Sequence, residues 1–281
     1  MSLCIDQSIL TLVKIQKDRC PNKGFLFFKE LEVTYQQFFD RMEQVAYGLA
    51  RFKIESGDKI AVCLPNCPES LFAFFGILRR GGIAVPLSPD LKEDQVAKRL
   101  NHSQSRVLIT TASLYASMQL QRMELPQLEQ LFFVGDRGRQ GFVFSSLYVS
   151  GPKKNEIAVS PKLLAMLMYP LDAKGESFTQ ETLIADADVF VKAAQMTEQD
   201  CFFYPLPWLD SHRQIISILA SIIVGGSVIL AERFSRKGFL NAIARHHTTA
   251  FFCGKEIIKD LFESEEAKQH DLSLLRFCAC E

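Results

Sequence analysis

The sequence has no excess of either charge. Lys plus Arg number 32 and Asp plus Glu number 32 in 281 residues, so no overall field steers the chain toward nucleic acid or an anionic membrane surface. It also lacks an apolar run long enough to span a bilayer. The longest uncharged stretch, Gln214 to Ala231, falls short of the roughly 20 residues a spanning helix needs and is broken by Gly225-Gly226. Low-complexity tracts and short-period repeats are missing too. With 48% apolar and 23% charged residues, the chain has the balance of a well-cored globular protein, in one large domain or two smaller ones.

Several catalytic signatures are absent: there is no Gly-x-Ser-x-Gly elbow, Walker loop, His-Glu-x-x-His or dinucleotide fingerprint. Those enzyme classes are set aside. Eight cysteines lie at 4, 20, 63, 67, 201, 253, 278 and 280 without the paired C-x-x-C spacing of a zinc site, and Cys63 sits in an apolar run as a small hydrophobe would. No secretory leader is recognised. The cytoplasm is therefore the expected compartment, and disulfides are not expected. His246-His247 falls at a predicted helix end, where an imidazolium suits the negative pole of the dipole better than adjacent residues suit one metal ion.

What is present reads as α/β grammar. Thr34 with Gln37 three residues on is a capping box, and Phe38, Met42, Val45 and Leu49 follow at helical spacing, predicting a helix over 35–52. A β-branched strand follows over 59–64, and Pro68 opens an apolar helix over 69–80 that Gly81-Gly82 ends before a strand at 83–87. The pattern recurs. A helix at 215–224, the pair Gly225-Gly226 and a strand at 227–230 repeat it. Further strands are predicted at 106–110, 131–134, 163–169, 201–204 and 249–252, alternating with helices near 91–101, 180–195, 236–246 and 255–263. Such alternation implies parallel sheets covered on both faces. The polar stretch Gly135 to Asn155 reads as a surface loop between lobes, with Lys153, Lys154 and nearby Lys162 as solvated charges.

The blocks Gly57-Asp58-Lys59-Ile60-Ala61-Val62, Leu64-Pro65-Asn66-Cys67-Pro68-Glu69 and Arg80-Gly81-Gly82-Ile83-Ala84-Val85-Pro86-Leu87 resemble the opening of the adenylate-forming acyl-CoA synthetases. The likeness begins at Thr34-Tyr35 and returns at Leu206-Pro207-Trp208, Gly225-Gly226-Ser227-Val228 and Leu275-Arg276. It covers nearly the whole chain. The resemblance implies an enzyme that activates a carboxylic or fatty acid with Mg-ATP to an acyl-adenylate and passes the acyl group to coenzyme A. It also implies two interleaved lobes, 8–65 plus 196–281 and 66–195, each a mainly parallel sheet flanked by helices. The family's Tyr-Gly-x-Thr-Glu motif, barrel and C-terminal lysine have no counterpart here, so the expectation is a truncated N-terminal domain.

The family's phosphate loop, Tyr-Thr-Ser-Gly-Thr-Thr-Gly-x-Pro-Lys-Gly, presents backbone N–H groups and hydroxyls to the phosphates. The matching segment is Tyr169-Pro170-Leu171-Asp172-Ala173-Lys174-Gly175-Glu176-Ser177-Phe178-Thr179. It is degenerate. Tyr169, Asp172, Lys174, Gly175, Ser177 and Thr179 stand at the loop's positions, but Pro170 has no backbone donor and two acids have entered. A carboxylate about 5 Å from one phosphate charge costs about 3 kcal/mol at an effective dielectric near 20, roughly a hundredfold in affinity. Lys174 would offset one acid, and a divalent ion held by Asp172 would bridge instead of repel; the other reading is a plain surface turn.

By the same resemblance, Trp208, Asp210 and His212 stand where the family lines its acyl pocket. Each has a second reading: Trp208 as a core residue, and Asp210 or Ser211 as the cap of the helix that follows. Gly254-Lys255-Glu256 replaces a Val-Pro-Thr pocket segment with charge. Two functional expectations remain open: a diverged acyl-CoA synthetase domain that is inactive as this chain alone, and a non-catalytic scaffold for an acyl ligand or a protein. A C-terminal half supplied in trans or a homodimer is the expected partner, with no nucleic acid and no membrane span.

Overall fold

Thr34 and Gln37 form the reciprocal cap that their spacing predicts: the Thr34 hydroxyl accepts from the Gln37 amide at 3.3 Å and the Gln37 side chain accepts from the Thr34 amide at 2.9 Å. The structure, a computed structural model, describes residues 7–136, 140–151, 160–170, 174–253, 255–264, 267 and 270–280. In chain order its elements are α1 (Ile9–Arg19), β1 (Gly24–Phe28), β2 (Leu31–Thr34), α2 (Tyr35–Arg51), β3 (Lys59–Val62), α3 (Pro68–Arg79), β4 (Ile83–Pro86), α4 (Glu93–Ser103), β5 (Val107–Thr111), α5 (Ala112–Ser117), β6 (Gln130–Val134) and β7 (Phe142–Val143). They continue as β8 (Leu164–Met168), β9 (Glu176–Thr179), α6 (Gln180–Ala193), β10 (Cys201–Tyr204), α7 (His212–Val224), β11 (Ser227–Leu230), α8 (Arg236–His246), β12 (Ala250–Cys253), α9 (Lys255–Phe262) and β13 (Phe277–Cys280).

The strands form two sheets, ordered β13-β12-β10-β11-β1-β2 and β7-β6-β5-β3-β4-β8-β9. Pairing is parallel except in the hairpins β1–β2 and β8–β9. This is the mixed α/β architecture the alternating pattern predicts, with no closed barrel among the described residues. Strand alternation sorts the side chains into layers. Phe202 and Tyr204 of β10 join Ile60 and Val62 of β3 in a central core with α1, α2, α3, α6 and α7. Cys201 and Phe203 face the other way, under α8 and Leu261 of α9. Ala61, Val85 and Leu108 pack outward under α4, with Leu114 and Tyr115 of α5 at the margin. Helix, sheet, helix, sheet, helix is the resulting order of layers, and it explains strands that are apolar on both faces.

Two expectations are corrected. A lobe boundary at 65 leaves β3 with the first lobe, whereas β3 pairs with β4 and β5 in the seven-stranded sheet. The stretch from Gly135 is only partly a surface loop: Phe142–Val143 is an edge strand, and Phe144 and Leu147 are buried. The physical reason is visible at Gly48. A Cβ there would lie 2.3 Å from the Leu147 carbonyl, so the segment lies directly against the α2 backbone through its apolar residues.

Beyond the shared core, one side chain ties the ends of the two sheets. Asn66, just past β3 and 2% exposed, points its amide nitrogen at the carbonyls of Tyr204 (3.0 Å), Leu206 (2.7 Å) and Ala231 (3.0 Å), which end β10 and follow β10 and β11. Its oxygen accepts the Trp208 amide at 3.0 Å. Two N–H bonds are shared among three acceptors, so the carboxyl ends of both sheets are pinned to one point. Asn66→Ala takes the side-chain partner from the part-buried Leu206 and Ala231 carbonyls and from the buried Trp208 amide, while the Tyr204 carbonyl keeps the Ala231 amide at 3.0 Å, and a loss of about 2–4 kcal/mol in unfolding free energy is expected from urea titration.

Candidate functional site

In open α/β sheets ligands sit beyond the carboxyl ends of the strands, and here those ends converge around Asn66. Beside it Ser88, two residues past β4, donates to Asp210 Oδ2 at 2.9 Å and accepts the Asp90 amide at 3.2 Å. Asp210 thus ties the end of β4 to the turn that follows β10. It does not cap α7. Ser211 takes the cap position, without a side-chain hydrogen bond. The capping alternative therefore applies to Ser211, by position and without a side-chain bond, while the Asp210 carboxylate is engaged by Ser88.

Trp208 is 1% exposed. Its indole N–H donates to Ser70 Oγ at 2.8 Å and its ring meets Phe74 edge-on at 5.3 Å. It lies in the core between α3 and the turn after β10, which answers the choice between pocket wall and core in favour of core. His212, the first residue of α7, stacks on Phe178 of β9 with ring centroids 4.4 Å apart and lies 3.5 Å from Asp186 of α6 through Nε2. Burial holds this imidazole below the usual histidine value, against the opposing pull of Asp186 and then Glu176. His212 thus meets Phe178 and Asp186, while Asp210 is engaged by Ser88.

The segment that stands for the phosphate loop joins β8 to β9. Asp172, with Leu171 and Ala173, lies outside the described residues. The flanking residues have structural roles. Tyr169 meets His102 Nδ1 through its hydroxyl at 2.8 Å, with the Arg99 guanidinium 5.7 Å from its ring centre. A Cβ on Gly175 would come within 2.8 Å of Leu167 and 3.0 Å of the Tyr169 ring, so this glycine serves close packing within the hairpin. The Thr179 hydroxyl accepts the Thr182 amide at 3.1 Å and caps α6. Lys174, Glu176 and Ser177 are exposed. A triphosphate needs several free donors aimed at one point; the described residues offer a packed glycine, a capping threonine, a bonded tyrosine and, exposed on the hairpin, Lys174 and Ser177 beside the Glu176 carboxylate. They do not fit that group.

Other candidates resolve simply. His246 lies against Phe27 with ring centroids 4.3 Å apart and planes tilted by 33°, and His247 closes α8 with its amide on the Ile243 carbonyl. Among the described residues no group of three His, Cys, Asp or Glu side chains is placed to hold a metal ion. Gly254 lies outside the described residues, as do Lys153 and Lys154, while Lys162 is exposed. Depressions of about 410 and 430 Å³ open elsewhere, between Pro89 and Met118 and between Phe27 and His247; Trp208, Asp210 and His212 line neither. Sequence reasoning missed Asn66, Ser88 and His102. The only available signal was a polar residue, Asn66, set between an apolar strand and an apolar helix.

Cys63, 3.8 Å from the Ser88 carbonyl, is pushed up to about 12 by burial first and by Asp210 second. Burial does the same, to about 12, for Cys67 and Cys201. Nucleophilic roles for these thiols are thereby disfavoured. In limited alkylation with iodoacetamide at pH 8, read by mass spectrometry, exposed Cys278 is expected to react at least tenfold faster than Cys63, Cys67 or Cys201 in the folded chain.

With the geometry in place, comparison with known proteins gives the family. The AMP-binding enzyme family model matches residues 13–281. A crotonobetaine/carnitine–CoA ligase of Escherichia fergusonii is 24% identical over 288 residues, covering 92% of this chain and 52% of that protein; one from Shigella sonnei is 24% identical over 283 residues. The chain spans about half the length of the curated relatives it matches. Among solved structures, the anthranilate CoA ligase AuaEII in complex with anthranoyl-AMP superposes with a TM-score of 0.88 at 23% identity, over 98% of this chain and 54% of that one. The inhibitor-bound N-terminal domain of FACL13 from Mycobacterium tuberculosis gives 0.87 at 18% identity, over 97% and 69%. These likenesses establish the fold, and the family model, matched over nearly all of the sequence, establishes the rest: the chain belongs to the AMP-binding enzyme family.

Proposed function

We propose that the chain is an acyl-CoA ligase-like domain that does not, by itself, activate a carboxylic acid. The scaffold is that of enzymes that join ATP, an acid and coenzyme A, and those three remain the ligands its ancestry points to. The observation that carries the proposal is the hairpin β8–β9. Tyr169, Gly175 and Thr179 are tied to His102, Leu167 and Thr182, Pro170 lacks an N–H, and Glu176 adds negative charge where phosphates would need donors.

The domain then acts as a scaffold, taking a small acyl ligand or a protein partner at the crevice where the two sheets end. A C-terminal half in trans and a second copy are the partner classes in keeping with the family. Trp208 favours a protein partner over a long acyl chain, because its indole fills the space between α3 and the turn after β10.

Carboxylate-dependent ATP–pyrophosphate exchange tests the proposal. With acetate, benzoate, crotonobetaine and palmitate as acids, exchange is expected to stay at the level of the acid-free control. Exchange above that control with any of them would overturn the reading.

A further inference from the structure

We propose that Cys253 and Cys280 are a redox-active thiol pair, which peroxide closes to a disulfide that fastens β13 to β12 and which dithiol reductants reopen. The two residues stand opposite each other in register as the last residues of the parallel strands β12 and β13. Neighbouring strands lie about 4.8 Å apart, inside the Cα separation of roughly 4.4–6.8 Å that a disulfide spans. Registered positions share a face of the sheet, so both residues belong to the face that Phe251 and Cys278 occupy one step earlier. Sequence spacing hides the pair, because α9 lies between its members in the chain. Both belong to the six-stranded sheet, not to the one that carries the β8–β9 hairpin.

The other described thiols are poorly placed to compete. Cys63, Cys67 and Cys201 are held protonated by burial, which pushes each up to about 12, and the thiolate is the form that attacks an oxidant. Cys20 closes α1. Cys278 is exposed, but it stands opposite Phe251 in register, and its diagonal to Cys253 is about 8 Å, beyond the roughly 7 Å that a disulfide bridges. Among the described residues β13 is an outer strand and pairs with β12 alone, so a small oxidant meets an open edge held by one row of hydrogen bonds. The chemistry balances. One thiolate attacks a peroxide oxygen, the O–O bond breaks, water leaves and a sulfenic acid remains; the second thiol then displaces the hydroxyl as water while the S–S bond forms. Two thiols lose two electrons and two protons, and one hydrogen peroxide takes them up as two waters.

The full chain, reduced and freed of reductant, is treated with hydrogen peroxide at neutral pH, its remaining thiols are capped with iodoacetamide, and tryptic peptides are sequenced by mass spectrometry without reduction. Cleavage after Arg245, Lys255 and Arg276 separates peptide 246–255 from peptide 277–281. The joined pair, fragmenting to a Cys253–Cys280 bond, is expected to exceed every other disulfide at least tenfold, to persist in Cys278→Ser, to vanish in Cys280→Ser and to open with dithiothreitol. Exchange of the β13 amides with deuterium is expected to slow at least threefold on oxidation, because a fastened edge strand frays less. No joined peptide, a bond from Cys278 that exceeds it, a link between two chains, or unchanged β13 exchange would overturn the proposal. Fragmentation of the parent's joined peptide assigns the bonded sulfurs by itself, so the outcome stands even where Cys280→Ser fails to fold.

Discussion

Asn66 is the constraint on which the rest of the arrangement depends. A parallel sheet brings its loops to one end, and a chain with two such sheets must fix how those ends face each other. Three carbonyls from the six-stranded side converge on one amide from the seven-stranded side, and the same side chain accepts the Trp208 amide. The bonds to the Tyr204 carbonyl and from the Trp208 amide are buried, and those to Leu206 and Ala231 are partly so, which limits water as an alternative partner. The Trp208 turn and the approach of Asp210 to Ser88 lie beside that convergence, and the shared core completes the placement of the sheets.

Much of the fold was legible because it is written in periodicity. The capping box at Thr34, the apolar circumference of α3 and the glycine pairs behind α3 and α7 each mark an element by local chemistry, and the elements lie within a few residues of where those signals put them. What escaped lacked such signals. The edge strands β7, β9 and β13 are two to four residues long, with too few side chains to show a period. The first hairpin has a charged turn, Lys29-Glu30, and no asparagine–glycine signature. The burial of Phe144 and Leu147 depends on Gly48, about a hundred residues earlier in the chain, and no local pattern could reveal that approach.

The candidate site was legible in location but not in wiring. The family blocks place Tyr169, Gly175, Thr179, Trp208, Asp210 and His212 near the strand ends. They do not say that Asp210 turns to Ser88, that His212 turns to Phe178, or that Tyr169 turns to His102. Those partners come from β4, β9 and α4, elements distant in sequence or carrying no motif. The composition of the loop was informative on its own, since the presence of a single glycine and of two acids is visible without coordinates. Structure adds the reason for the one retained glycine, which is to let Tyr169 and Leu167 close over it.

The account stands on the proposal that the described residues of the β8–β9 segment gather too few free donors for a triphosphate. Isothermal titration of the chain with Mg-ATP tests this most directly. The account predicts no saturable heat up to millimolar nucleotide. Saturable binding that Lys174→Ala weakens would contradict it, because the loop would then be holding phosphates despite the engagements described.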